Sequence, residues 1–346
     1  MVLVSVTIEP TKNRELVFLP SVPTSPNYKP RVSLGLVIVM TNNETTRINL
    51  NSVKIRYGSI TKSFPENVIF NPGGSWRWFT DRRISLPYPP QRKIVVELKF
   101  GRDTIRHHKN IGPPQKQIAQ GSYLFPGKVG DLNKDEFWRE KGRHAKHFSQ
   151  IFAHDLEMVG PVNIGRKKVS RQWRGSRKKN ENHFVWNKPV YAMADGEVLD
   201  SFDGRPDNPK PGEYFVPPPG YTERDGENII GNFLHIRHED DIVLYAHFKE
   251  RSLQRGLVRG ARVSAGQLLG YVGNSGNSTD PHLHIHAVKQ GTPRRNPSFP
   301  LIFRNAHVRA RFLPGTGPIN PWVRLQNQGL PDKENLIWPS SRKPQE

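Results

Sequence analysis

The chain has 346 residues, no cysteine, and 52 Lys+Arg against 31 Asp+Glu, a formal net charge of +21. That length predicts two domains, each able to bury its own core, and the missing cysteines exclude disulfide scaffolding and thiolate metal ligands. The positive charge favours polyanions of any kind, whether nucleic acid, anionic lipid or acidic cell-wall polymer, and does not choose among them.

The opening residues, MVLVSVTIEPTKNRELVF, lack a basic region followed by an uninterrupted apolar stretch and a small-residue cleavage site, so they do not read as a signal peptide. The longest apolar run, residues 34–40, is too short to cross a bilayer, and the expectation is a soluble chain with no transmembrane segment and an unassigned export route. From Val2 to about His108 the pattern alternates with period two, as in VSVTIEP, TTRINLNSVKIRYG and RKIVVELKFG, which predicts a β-sandwich-like accessory domain over 1–108. Residues 109–126, rich in Pro, Gly and Gln, read as a linker. A second β-rich region spans 127–313, and 314–346 reads as an irregular C-terminal tail. Within that region NKDEFWREKGRH is the best helix candidate, and ADGEV reads as a hairpin turn because Asp-Gly favours type I′ geometry. The expected class is all-β.

Two stretches interrupt the second region. Arg166, Lys167, Lys168, Arg171, Arg174, Arg177, Lys178 and Lys179 lie within 166–179 with Trp173 and no acid, which reads as a polyanion-binding loop or as a solvated one. Residues 204–224 are too proline-rich for a core strand and read as a rim loop.

Six of the thirteen histidines fall between His235 and His286, in the strand-like segments LHIRH, LYAHF and HLHIH. In a strand His282, His284 and His286 share one face while Leu283, Ile285 and Ala287 share the other, so one face can bind metal and the other can enter a core. A metal hydrolase needs three protein ligands, an open position for water, and nearby groups that move protons and stabilise an oxyanion. His154 would point to the opposite face from Asp155.

The segments PVYAMADGEV, LYAHF and GQLLGYVGNSGNSTDPHLHIH resemble the LytM/lysostaphin-type zinc metalloendopeptidases over roughly residues 140–305. The resemblance implies a β-sheet groove fold (duplicated hybrid motif) following the sandwich, a Zn2+ cofactor, and a peptide or peptidoglycan substrate. It assigns Asp155 and His284 as zinc ligands and His247 and His282 as the catalytic pair. The family's first ligand stands four residues before the aspartate, where this chain has Ile151, so that role passes to His144, with His147 as the runner-up. His286 is read as orienting a ligand or substrate or as a plain polar position, and Asn274 and Ser275 of the turn-rich NSGNSTD as bracing the site, contacting substrate main chain, or belonging to a structural loop.

Three other classes compete. A non-catalytic relative would bind a cell-envelope partner in the same groove, but Asp155, His247, His282 and His284 are all present. A nucleic-acid-binding protein is disfavoured because no base-reading module is recognisable. A biotinyl- or lipoyl-carrier would need a lysine at the tip of YAMADGEV, which has none.

Overall fold

The computed structural model describes residues 2–12, 15–16, 19–21, 31–79, 84–87, 93–112, 122–141, 148–220, 227–289, 291, 293, 295–310, 321–326, 328–330 and 335–344. In the N-terminal part, Val4–Glu9, Val37–Asn42 and Ser75–Phe79 form one antiparallel sheet. Asp103–Asn110, Lys93–Phe100, Ile48–Tyr57 and Ile60–Phe70 form another, in that order. Alternate residues of both sheets, among them Ile38, Met40, Val53, Ile55, Val96 and Leu98, meet in one hydrophobic cluster, as period-two patterning requires.

The rest of the chain is organised by an eleven-stranded sheet. Numbered within this sheet in chain order, its strands are β1 (Phe137–Glu140), β2 (His154–Ile164), β3 (Lys167–Arg171), β4 (Gly196–Phe202), β5 (Asn232–His238) and β6 (Asp241–Phe248). They continue as β7 (Arg262–Val263), β8 (Leu283–Val288), β9 (His307–Ala310), β10 (Val323–Arg324) and β11 (Asn335–Trp338). Their order is β7-β4-β5-β6-β8-β2-β1-β11-β9-β10, with β3 on β2, and the pairings are antiparallel. One face is the core: Leu156, Tyr245, Leu283 and Ile285 are fully buried in a second hydrophobic cluster. Among the described residues no helix is long and apolar enough to cross a membrane.

Four local expectations change. Phe137–Glu140 is a strand rather than part of a helix, with Trp138 sent to the core and Arg139 to the other face. ADGEV makes no hairpin, because Pro189–Tyr191 pairs with Leu268–Tyr271 whereas β4 pairs with β5. Gly196 serves a different need there: a Cβ would lie 2.6 Å from the Arg237 carbonyl oxygen. Tyr123 and Phe125, inside the stretch read as a linker, belong to the second core. The stretch read as an irregular tail supplies β10 and β11, and Leu325, Leu330 and Ile337 fill the same core. Strands of two and four residues between prolines carry too little pattern to be seen in advance.

The N-terminal part touches the second at Gly35, where a Cβ would collide with the side chain of Ile151. Ile151 is thus used for packing.

Strand β6 carries an irregularity that sets up the site. Asn232 pairs with Phe248 and Phe233 with Ala246, so His247 is the extra residue of a bulge, and its φ is +64°. Simple alternation would turn His247 away from Ala246; the bulge re-aims it. Left-handed backbone costs a non-glycine residue about 1–2 kcal/mol. His247→Gly should therefore be about 1 kcal/mol more stable than His247→Ala by urea denaturation, the reverse of the usual order in a strand.

At the other end of the β5–β6 pair, a chain of hydrogen bonds ties Tyr245 and His238 to the main chain of residues 193–195. Met193 N–H donates to Tyr245 Oη (3.0 Å), Tyr245 Oη–H donates to His238 Nε2 (2.9 Å), and His238 Nδ1–H donates to the Asp195 carbonyl (2.9 Å). Burial pushes the His238 pKa down to about 4. The unfolded chain takes up this proton below about pH 6.5 and the folded chain only near pH 4, so folding stability falls as pH drops through that window. His238→Gln should flatten that part of the stability profile, measured by urea denaturation from pH 7 to 4, by up to about 3 kcal/mol.

Candidate functional site

Register builds the site. In the β2–β8 pair Asp155 lies opposite His284, and in the β6–β8 pair Ala246 lies opposite His284. Residues directly opposite share a face, so Asp155 and His284 project together from the face away from the core. His284 Nδ1 is 3.1 Å from Asp155 Oδ1. Two residues earlier, His282 joins them, its Nε2 3.2 Å from the same oxygen. The re-aimed His247 completes the group, its ring centroid 4.7 Å from that of His282 and 5.8 Å from that of His284. All four side chains are buried, none of these residues more than 8% exposed.

The hydrogen bonds around each imidazole settle which nitrogen faces the centre. His247 Nδ1–H donates to the Ser275 carbonyl at 2.8 Å, and His282 Nδ1–H to the Asp280 carbonyl at 2.7 Å. His286 Nε2–H donates to the Pro293 carbonyl at 3.0 Å, which leaves its Nδ1 as an acceptor for His284 Nε2–H at 2.8 Å. A neutral His284 therefore presents a bare Nδ1 to the Asp155 carboxylate. Two electron-rich atoms at hydrogen-bond distance call for a shared cation, a proton or a metal ion.

Asp155 and His284 supply two donors of the types that zinc takes. With Zn–N and Zn–O bonds of about 2.1 Å, two tetrahedral ligands stand roughly 3.3–3.4 Å apart, close to the observed 3.1 Å. Among the described residues no group of three His, Asp or Glu side chains is arranged to hold an ion. A third ligand would have to come from elsewhere, and His144 and His147 lie outside the described residues. Burial works against the imidazolium of His282, but the Asp155 carboxylate outweighs it and holds the pKa above its ordinary value.

The remaining candidates divide. His286 is 2% exposed and hydrogen-bonds His284 through its Nδ1 at 2.8 Å. Asn274 and Ser275 are fully buried. Asn274 donates to Asn180 Oδ1 (2.9 Å), and Ser275 Oγ–H donates to the Phe248 carbonyl (2.8 Å). His154 points to the opposite face, as alternation requires, with Nδ1 3.1 Å from Glu140 Oε2. The rim loop is pinned by Asn208, whose amide donates to the carbonyls of Gly276 (3.0 Å) and Ser278 (2.9 Å). Part of the basic stretch is a strand, since Lys167–Arg171 pairs along β2, and most of its cations are exposed. Lys141 and Asp280, joined at 2.8 Å beside His282, were not singled out by the sequence. Nothing in their local patterns marks them, because 139 residues separate them.

Residues 183–296 match Peptidase family M23, a span that includes His247, His282 and His284 but not Asp155. The DD-carboxypeptidase/endopeptidase Mpg of Neisseria meningitidis serogroup B is 37% identical over 106 residues, 30% of this chain and 18% of that protein. The peptidoglycan DD-endopeptidase ShyC of Vibrio cholerae serotype O1 is 40% identical over 81 residues, 22% of this chain and 17% of that protein. The chain thus spans less than a fifth of the length of these curated relatives. Among solved structures, a zinc containing peptidase from Vibrio cholerae aligns at 13% identity over 78% of this chain and 55% of that chain, with a TM-score of 0.28. His282 and His284, the two histidines of the H-x-H segment, thus lie inside the part of the chain that matches peptidase family M23.

Proposed function

We propose that this protein is a zinc-dependent endopeptidase that hydrolyses peptide bonds of peptidoglycan, in its cross-links or stem peptides. The observation that carries the reading is the convergence of Asp155, His284, His282 and His247 on one buried point, with His286 fixing the His284 tautomer. The similarity to peptidoglycan endopeptidases supports the substrate class. Asp155 and His284 would hold the ion together with His144 or His147. A bound zinc would supply Lewis acidity toward the scissile carbonyl and an attacking water.

The chain's own residues handle the protons. His247 and His282 each donate Nδ1–H to a main-chain carbonyl, and in this reading Nε2 is the proton-transfer nitrogen of each ring, that of His282 lying 3.2 Å from Asp155 Oδ1. One Nε2 takes the proton of the attacking water, and the other, carrying a proton, hydrogen-bonds the tetrahedral oxyanion. Fixing both rings through carbonyl acceptors removes the need to reorient them during the reaction.

One observation favours a second reading, a groove that binds wall peptide without cutting it: Ile151 stands where the family's first ligand belongs, and it is engaged in packing at Gly35. Elemental analysis and a cleavage assay separate the two. Near one zinc per chain is expected in the wild type, with loss in Asp155→Ala, His284→Ala and one of His144→Ala and His147→Ala. On a soluble cross-linked muropeptide, followed by mass spectrometry, His247→Ala and His282→Ala should keep zinc and lose on the order of 10²–10⁴ in kcat. No zinc after reconstitution and no cleavage would leave the binding reading.

The basic stretch 166–179 supports a polyanion contact near the site, since its Lys167–Arg171 strand pairs antiparallel with the far end of the strand that carries Asp155 and its cations are exposed. Binding to peptidoglycan sacculi should weaken as salt rises. Replacing Arg166, Lys167 and Arg171 together by Gln should reduce both the affinity and its salt dependence; a sedimentation assay with unchanged binding would remove this contact.

A further inference from the structure

We infer that Lys141 is a positioning residue: its ammonium fixes Asp280, and the main chain of Asp280 fixes the ring of His282. The inference deepens the peptidase reading and rests on it for its kinetic consequence, but the geometry stands by itself.

Lys141 directly follows β1 and makes two contacts that reach different parts of the site. Its backbone N–H donates to the Asp155 carbonyl at 3.0 Å, and its Nζ donates to Asp280 Oδ1 at 2.8 Å. The Asp280 carbonyl in turn accepts His282 Nδ1–H at 2.7 Å and Ser278 Oγ–H at 2.9 Å. One residue therefore ties the strand that bears the metal-binding carboxylate to the turn that aims the proton-handling imidazole. Pro281 stands between Asp280 and His282, and its fixed φ leaves the two residues little freedom to move apart from each other.

The pair is placed where it matters energetically. Its side chains are 26% and 28% exposed, so neither charge is fully solvated. Burial works against the Lys141 ammonium, yet Asp280, with Asp155 and Glu157 behind it, raises its pKa. Burial equally works against the Asp280 carboxylate, and Lys141 lowers its pKa. Removing Lys141 leaves a partly buried carboxylate without its ammonium, and the turn that presents the Asp280 carbonyl to His282 loses its tie to the residue following β1.

The test uses the purified full chain in three forms: Lys141→Met, Lys141→Arg, and the charge exchange Lys141→Asp with Asp280→Lys. On a soluble cross-linked muropeptide, Lys141→Met should lower kcat on the order of tenfold with KM unchanged. Long-range ¹⁵N–¹H spectra of the imidazoles should show His282 as the Nδ1–H tautomer in the wild type and as a mixture of tautomers in Lys141→Met. Lys141→Arg and the exchanged pair should recover both properties. Wild-type kcat and an unchanged His282 spectrum in Lys141→Met would overturn the inference, as would equal losses in all three forms, which indicate general packing. A wild type that cleaves no muropeptide would instead overturn the peptidase reading, and the His282 spectrum alone would then decide the role of Lys141.

Discussion

The opposition of Asp155 and His284 across two antiparallel strands is the constraint on which the site depends. A strand has a side-chain period of two, so a one-residue slip of β2 against β8 would exchange the faces of the whole set. His154 would then join the face that His284 occupies and Asp155 would enter the core. Packing prevents this. Leu156, Leu283 and Ile285 are fully buried on the far face, and His154 is held there by the Glu140 carboxylate. Burying each large apolar side chain contributes roughly 1.5–3 kcal/mol, so the hydrophobic side of the sheet sets the register that the polar side uses. Fold and site are two readings of one alternation.

The second element is departure from regularity. His247 reaches the other imidazoles because β6 carries an extra residue with φ of +64°. That strain is sustained by a buried polar network on the loops beyond the strand ends. Asn232 donates to the Arg205 and Phe248 carbonyls, and its own N–H is accepted by Ser275 Oγ. Ser275 then offers its carbonyl to His247. Gly231 and Gly276 approach so closely that a side chain on either would strike the main chain of the other segment. Small residues and buried amides at these loops thus replace a hydrophobic core where the backbone cannot be regular.

Much of this was open to inspection in the sequence. Period-two patterning gave the all-β class, and the spacing of His282, His284 and His286 placed three imidazoles on one face opposite Leu283 and Ile285. Alternation also turned His154 away from Asp155. Other features were hidden for physical reasons. Phe137–Glu140 has the local composition of a helix and becomes a strand only because β2 and β11 flank it. The strands drawn from 323–338 are too short to announce themselves and exist by pairing alone.

What the chain determined by itself was therefore everything that depends on neighbours in sequence: strand character, the two faces of the H-x-H segment, and the chemistry available to a cysteine-free site. Tertiary structure decided what depends on partners far along the chain. It chose Asp155 as the residue opposite His284, turned His247 inward through a bulge, made His286 the relay to a carbonyl at Pro293, and joined Lys141 to Asp280. Side-chain period is a local property that residue order can state, whereas register and bulge position are set by which strands come to lie side by side.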